Sequence, residues 1–228
     1  MNATAIIPVK RFARAKTRLL DAVDARGRAA LLRAMLADVL AAVDRCDSIE
    51  RVIVVTGERR AERIALTHAR RMRWPLEVLR DPDDAGQPHA ATLGIVRAKA
   101  LGARCVALLP GDCPLLDPAE LDGALERMRP GRVTVVPDRG GSGTNALLLS
   151  PPDAIAPGFG PGSRARHTAW AERRGLEVAV EELGSLALDL DTPDDLADLV
   201  AALADEPERA PTTARELSGL GLPAERAP

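Results

Sequence analysis

Short apolar runs alternate with longer stretches of helical spacing, and this alternation leaves the chain few architectures. Residues 4–9, 51–55, 76–79 and 105–109 are the short runs, rich in Val, Ile, Leu and Ala. Near-continuous apolar runs of this length suit strands buried on both faces of a sheet. Between them, residues 27–46 set Leu31, Leu32, Met35, Leu36, Val39, Leu40 and Val43 at helical spacing. Residues 58–72, 90–101 and 117–128 are also predicted helices. Strand–helix alternation predicts a parallel α/β sheet with helices on its faces. After Pro130 the pattern changes. Residues 133–136 and 145–149 read as an antiparallel strand pair joined by the glycine-rich turn 139–143. Residues 163–174 are then helical, and residues 176–180 and 186–190 read as two more strands. Thr192-Pro193-Asp194-Asp195 is a helix start, with a Thr cap, Pro at the first position and acids at the positive helix end. The expected fold is a single α/β domain over residues 1–204, a mixed and mostly parallel sheet flanked by helices. Residues 205–228, rich in Pro, Ala and Glu, read as a mobile tail or a short appended helix.

Composition narrows the function classes. The 228 residues are 46% hydrophobic and 28% charged, enough for a sizeable core. A net charge of −2, with 2% aromatics and no Tyr, gives no electrostatic or stacking basis for nucleic-acid binding. No apolar run approaches a membrane span, and the N-terminus lacks a signal-peptide pattern. Cys46, Cys105 and Cys113 form no CxxC pair and no zinc-finger spacing. A reducing cytoplasm is the expected location.

Several predicted strands end in residues that carry chemistry. Ligands of open α/β sheets bind beyond the carboxyl ends of the strands. Lys10, Gly57, Asp112 and Asp191 all fall at or just past such ends, so the fold reading puts them on one rim. Asp112 follows the apolar run ending Leu109-Pro110-Gly111. Asp189 and Asp191 close Leu186-Ala187-Leu188-Asp189-Leu190-Asp191. Carboxylates at strand ends suit Mg²⁺ and, with it, phosphate chemistry. Each is also an ordinary turn or cap residue.

Two segments are candidate anion sites. Residues 8–19 carry Lys10, Arg11, Arg14, Lys16 and Arg18 among small residues, a pattern that suits a triphosphate or a solvated basic loop. It lacks the glycines and Gly-Lys of a Walker A loop. Gly158-Phe159-Gly160-Pro161-Gly162-Ser163 leads into a helix bearing Arg164, Arg166 and His167, which suits an anion at a helix N-terminus or a plain connection. His89 opens a helix and reads as a base contact or a surface residue. Cys113 has no base partner that would make it a nucleophile.

Five segments in order resemble the 2-phospho-L-lactate guanylyltransferase family of coenzyme F420 biosynthesis, whose bacterial members include phosphoenolpyruvate guanylyltransferases. They are Pro8-Val9-Lys10 with Ala15-Lys16-Thr17-Arg18-Leu19; Leu109-Pro110-Gly111-Asp112-Cys113-Pro114-Leu115-Leu116; Gly143-Thr144-Asn145-Ala146-Leu147; Phe159-Gly160-Pro161-Gly162-Ser163 with His167; and Leu188-Asp189-Leu190-Asp191-Thr192-Pro193. The resemblance implies a single-domain nucleotidyltransferase fold of the glycosyltransferase-A type, acting with GTP, Mg²⁺ and a small phospho-acid. It implies metal binding by Asp112, Asp189 and Asp191. Phospho-acid contacts fall on Thr144, Gly160 and Ser163. The nucleotide-phosphate loop falls on Lys10, Lys16 and Arg18, with Lys16 also counted among the catalytic residues.

One departure stands out. Many members carry Gly-Leu-Asn before the third helix, where this chain has Gly86-Gln87-Pro88-His89. Related nucleotidyltransferases acting on molybdopterin or sugar phosphates usually open with a glycine-rich loop, which Val9-Lys10-Arg11-Phe12 is not. A non-catalytic nucleotide-binding module is the alternative of another class, and the intact aspartates argue against it. Phosphoenolpyruvate is the first expectation for the acceptor and 2-phospho-L-lactate the second. The apolar stripe of residues 27–46 serves equally against the sheet or a second subunit, so a homodimer is compatible with it.

Overall fold

A computed structural model describes residues 2–12 and 23–220. Its centre is one seven-stranded sheet in the order β3-β2-β1-β4-β6-β5-β7. The strands are β1 (Ala3–Val9), β2 (Ile49–Thr56), β3 (Leu76–Arg80), β4 (Val106–Leu108), β5 (Arg132–Val136), β6 (Ala146–Ser150) and β7 (Glu177–Val180). All neighbours are parallel except the two pairings of β6, which runs antiparallel to β4 and to β5. The mixed, mostly parallel sheet expected from the sequence is therefore present. The break in alternation after Pro130 is the β5–β6 hairpin.

Helices cover both faces. α1 (Ala25–Arg45), α2 (Arg59–Ala69), α4 (Pro118–Glu126), α6 (Pro193–Asp205) and α7 (Pro211–Gly219) supply one core with Leu31, Leu36, Ala61, Leu121, Leu199 and Leu217. α3 (Gln87–Ala100) and α5 (Ser163–Arg173) supply the other with Ala91, Ile95 and Ala171. β1 feeds both cores by alternation, with Ala5 and Ile7 on one face and Ile6 on the other. Burial on both faces explains why its sequence is apolar throughout. The stripe of α1 is consumed within the chain, against the sheet.

Local chemistry sets the helix starts. Asp24 caps α1 by accepting from Gly27 N at 2.7 Å. Asp117 caps α4, with Pro118 behind it. Thr192 and Asp195 form a reciprocal capping box at α6. α3 begins at Gln87, earlier than its apolar spacing indicates, because Gly86 takes φ = 102° and turns the chain into the helix. Beyond Asp205 the chain makes a short 3₁₀ turn and then α7. Asp38 of α1 accepts from Thr212 N at 3.1 Å and Thr213 N at 2.7 Å, tying α7 to the body of the domain.

One predicted element is absent. Residues 186–190 form no strand; a 3₁₀ turn over Gly184–Leu186 leads into irregular backbone. The apolar run is real, since Leu186 and Leu190 are buried and Leu188 half-buried. The backbone partners differ from those of a ladder. Glu120 Oε2 accepts from Ser185 N at 2.9 Å, and the Leu186 carbonyl accepts from Asn145 Nδ2 at 2.7 Å. The Leu186 and Ala187 amides donate to the Leu183 and Gly184 carbonyls within the turn, so the segment crosses the rim of the sheet without joining its ladder.

Candidate active site

The strand order reverses direction between β1 and β4, so the loops leaving these parallel strands diverge and open a cleft. Because β6 is antiparallel, its N-terminal end and the C-terminal end of β5 reach the same rim. The cleft is about 530 Å³ and is lined by Lys10 and Phe12 after β1, Asp112 after β4, Asp138 after β5, Thr144 and Asn145 before β6, and Gly160, Asp189 and Asp191. Residues from 8 to 191 meet here. Lys10, Asp112, Thr144, Gly160, Asp189 and Asp191, all singled out from the sequence, share this one cavity. Lys16 and Arg18 lie outside the described residues. Gly57 sits on the rim beside β3, where an added Cβ would stand 2.3 Å from the Asp81 carbonyl oxygen.

The acidic side is braced from behind. Asn145 Nδ2 lies within 3.5 Å of Asp189 Oδ1 while it donates to the Leu186 carbonyl, so one amide orients both. Asp191 N donates to Asp195 Oδ2 at 3.1 Å, anchoring the segment to the first turn of α6. Among the described residues, no three His, Cys, Asp or Glu side chains are gathered into a ready-made metal cage. Hard carboxylate oxygens in one polar cleft without a cage still fit Mg²⁺. That ion keeps several waters and takes one or two carboxylates together with phosphate oxygens.

The loop before α5, whose Gly160 also lines the cleft, turns through Gly160 (φ = 115°) and Gly162 (φ = 68°). Thr144 lines the cleft, and its Oγ1 stands 3.1 Å from both Ser163 Oγ and His167 Nδ1. Ser163 and His167 are fully buried. His167 Nε2 accepts from Gly158 N at 2.8 Å. Burial first, and Arg166 second, hold the His167 pKa down at about 4, so the ring is neutral near pH 7. With both ring nitrogens engaged, His167 is not placed to act as a base in the cleft. Ser163 reaches the cleft through Thr144 rather than by lining it.

Other residues read from the sequence lie elsewhere. His89 is half-exposed at the start of α3, its Nε2 3.9 Å from Asp81 Oδ1. Asp81 is buried, and Oδ1 has no hydrogen-bond partner among the described residues. Gln87, the neighbour of His89 in the departing segment, does line the cleft. Cys113 is buried and does not line the cleft, and Cys46 and Cys105 are buried as well. Asp138 and Asn145 were not singled out from the sequence as site residues. Asp138 hides in a turn, where its Oδ1 accepts from Gly143 N at 2.9 Å. Asn145, next to Thr144 in a strand-like run, gave no local signal of its long-range bond to residue 186.

The family model for CofC-like guanylyl transferases matches residues 3–209, nearly the whole described chain. The chain belongs to this family. The phosphoenolpyruvate guanylyltransferase of Conexibacter woesei is 48% identical over 198 residues, covering 86% of each chain. The 3-phospho-D-glycerate guanylyltransferase of Phenylobacterium zucineum is 36% identical, covering 86% of this chain and 89% of its own. Among solved structures, a nucleotide-diphospho-sugar transferase homologue from Desulfovibrio desulfuricans superposes with a TM-score of 0.71 at 17% identity, over 96% of this chain and 95% of its own. That likeness concerns the fold. As a CofC-like guanylyl transferase, the chain is an enzyme of the nucleotidyltransferase class. None of its described helices is long and apolar enough to cross a membrane.

Proposed function

We propose that this CofC-like chain transfers GMP from GTP to the phosphate of a three-carbon phospho-acid, releasing pyrophosphate, with phosphoenolpyruvate as the preferred acceptor. The observation that carries the proposal is the shared cleft, which Asp112, Asp189 and Asp191 line together with Thr144 and Gly160. The names of the curated relatives support a phospho-acid acceptor, phosphoenolpyruvate foremost. We further propose a place in coenzyme F420 biosynthesis, in keeping with the family resemblance.

In this reaction a phosphate oxygen of the acid bonds to the α-phosphorus of GTP as the bond to the pyrophosphate oxygen breaks. The nucleophile is already an anion, so no side chain has to take a proton from it. The committed, neutral His167 and the buried Cys113 accord with that. The chain's task is to hold two polyanions in line, which lowers the barrier by positioning and by compensating charge. Lys10, with Lys16 and Arg18, would hold the triphosphate, and Thr144 and Gly160 the phospho-acid. Asp112, Asp189 and Asp191 would hold Mg²⁺, which when bound offsets the negative charge of the phosphates. Asn145 and Asp195 keep the Asp189–Asp191 segment in place for that purpose.

The test incubates the protein and Mg²⁺ with GTP, ATP, CTP or UTP. Each is paired with phosphoenolpyruvate, 2-phospho-L-lactate or 3-phospho-D-glycerate, and pyrophosphate is measured. Release is expected with GTP, and most strongly with phosphoenolpyruvate. No release with GTP and any of the three acids would refute the proposal. The Phenylobacterium relative makes 3-phospho-D-glycerate the competing acceptor, and the same panel ranks it.

A further inference from the structure

The back wall of the phospho-acid side contains a hydrogen-bond chain whose polarity is decided by one backbone group. Gly158 N–H points at His167 Nε2, so that nitrogen must present a lone pair. The imidazole proton therefore sits on Nδ1, which donates to Thr144 Oγ1. Ser163 Oγ lies 3.1 Å from the same oxygen, is fully buried and has no other acceptor among the described residues, so its hydrogen also goes to Thr144 Oγ1. Both lone pairs of Thr144 Oγ1 are then filled, and its own hydrogen has no acceptor within the trio. Ser163 and His167 are fully buried, whereas Thr144 borders the cleft. Edge contacts with Phe159 (centroids 5.5 Å apart, planes at 77°) and Trp170 (6.1 Å, 62°) restrict the ring. Burial also keeps it neutral near pH 7.

We propose that His167 is a positioning residue: locked by Gly158 as the Nδ1–H tautomer, it makes Thr144 an obligate donor into the cleft. The site therefore selects an acceptor-only oxygen of a carboxylate or phosphate at that point and rejects a ligand that presents a donor there. Ser163 has the same role, acting through Thr144 rather than touching the ligand. The identity of the ligand as a phospho-acid rests on the proposed function; the direction of the chain does not.

Two substitutions separate the two ring nitrogens. His167→Asn keeps an N–H near Nδ1 and loses the acceptor for Gly158. His167→Gln keeps an acceptor near Nε2 and loses the donor to Thr144. In the pyrophosphate assay, His167→Gln is expected to raise KM for the phospho-acid about tenfold or more, with KM for GTP within about twofold. His167→Asn is expected to restore most of the affinity. Equal KM values in the two variants, or a rise shared by GTP, would overturn the assignment. Tautomer-sensitive nitrogen NMR of labelled histidine in the unaltered protein gives an independent readout. It should show a protonated Nδ1 and a bare Nε2, and the opposite tautomer would overturn the proposal even if both variants failed to fold. Should the unaltered protein act on no phospho-acid, the functional reading fails by itself, while the NMR result still decides the polarity of the chain.

Discussion

Acid should destabilise this protein through one buried ring. His167 titrates at about 4 in the folded state against an ordinary 6.5, because burial disfavours the cation and Arg166 adds repulsion. Between these two values the unfolded chain binds a proton that the native state refuses. Stability is therefore complete at and above the ordinary pKa and falls as pH drops toward about 4, below which this group causes no further loss. At roughly 1.4 kcal/mol per unit, the loss is about 2 kcal/mol at pH 5 and about 3 kcal/mol by pH 4. Urea unfolding of the unaltered protein and of His167→Asn, each at about pH 7 and about pH 5, isolates the effect. Any cost of the substitution at pH 7 cancels in the double difference. His68, also depressed by burial, and the carboxylates of Asp153 and Glu181, held low by Lys99 and by Arg127 and Arg132 against the burial that raises Glu181, titrate alike in both proteins. The unaltered protein should lose about 2 kcal/mol more than the variant over this interval. Parallel losses would show that His167 is not buried as a neutral ring.

Asp38→Ala should cost about 2–3 kcal/mol in urea unfolding, since it strips a buried carboxylate from two amides at the start of α7. Asp38→Asn should retain about half of that, and a change below about 0.5 kcal/mol in the Ala variant would show that α7 is held by other contacts. Asp112→Asn and Asp191→Asn should each lower pyrophosphate release roughly a hundredfold or more with the circular dichroism spectrum unchanged. Near-full activity in either variant would remove that carboxylate from the proposed metal site. Gly57→Ala should cost about 1–3 kcal/mol, because the new Cβ meets backbone oxygen of residue 81 at 2.3 Å and that contact is relieved only by parting the ends of β2 and β3. Thermal unfolding measures it, and an unshifted midpoint would show that the rim yields freely.

Much of the fold was legible because its signals are local. A strand buried on both faces needs a continuous apolar run, and residues 4–9, 51–55 and 105–109 have one. A helix start needs a cap and its neighbours, and Thr192 through Asp195 supply both within four positions. The resemblance of five short segments was enough to suggest the family and its aspartates. The error at residues 186–190 has the same origin. An apolar run reports that side chains are buried, and it cannot say whether the backbone finds its partners in a strand or in a turn braced by Asn145 and Glu120.

The sequence by itself determined the α/β class, most element positions and the placement of chemistry at the ends of the apolar runs. The hairpin of β5 and β6 was readable, but only the tertiary structure decided that β6 inserts between β4 and β5, bringing Thr144 and Asn145 to the rim that carries Asp112. Only the tertiary structure decided that His167, which the sequence offered with Arg164 and Arg166 as part of an anion site, is instead a buried ring with both nitrogens committed. The physical reason is range. Propensity, capping and periodicity act over a few residues, whereas burial, pKa and the polarity of a hydrogen-bond chain depend on groups that packing brings together from distant parts of the chain.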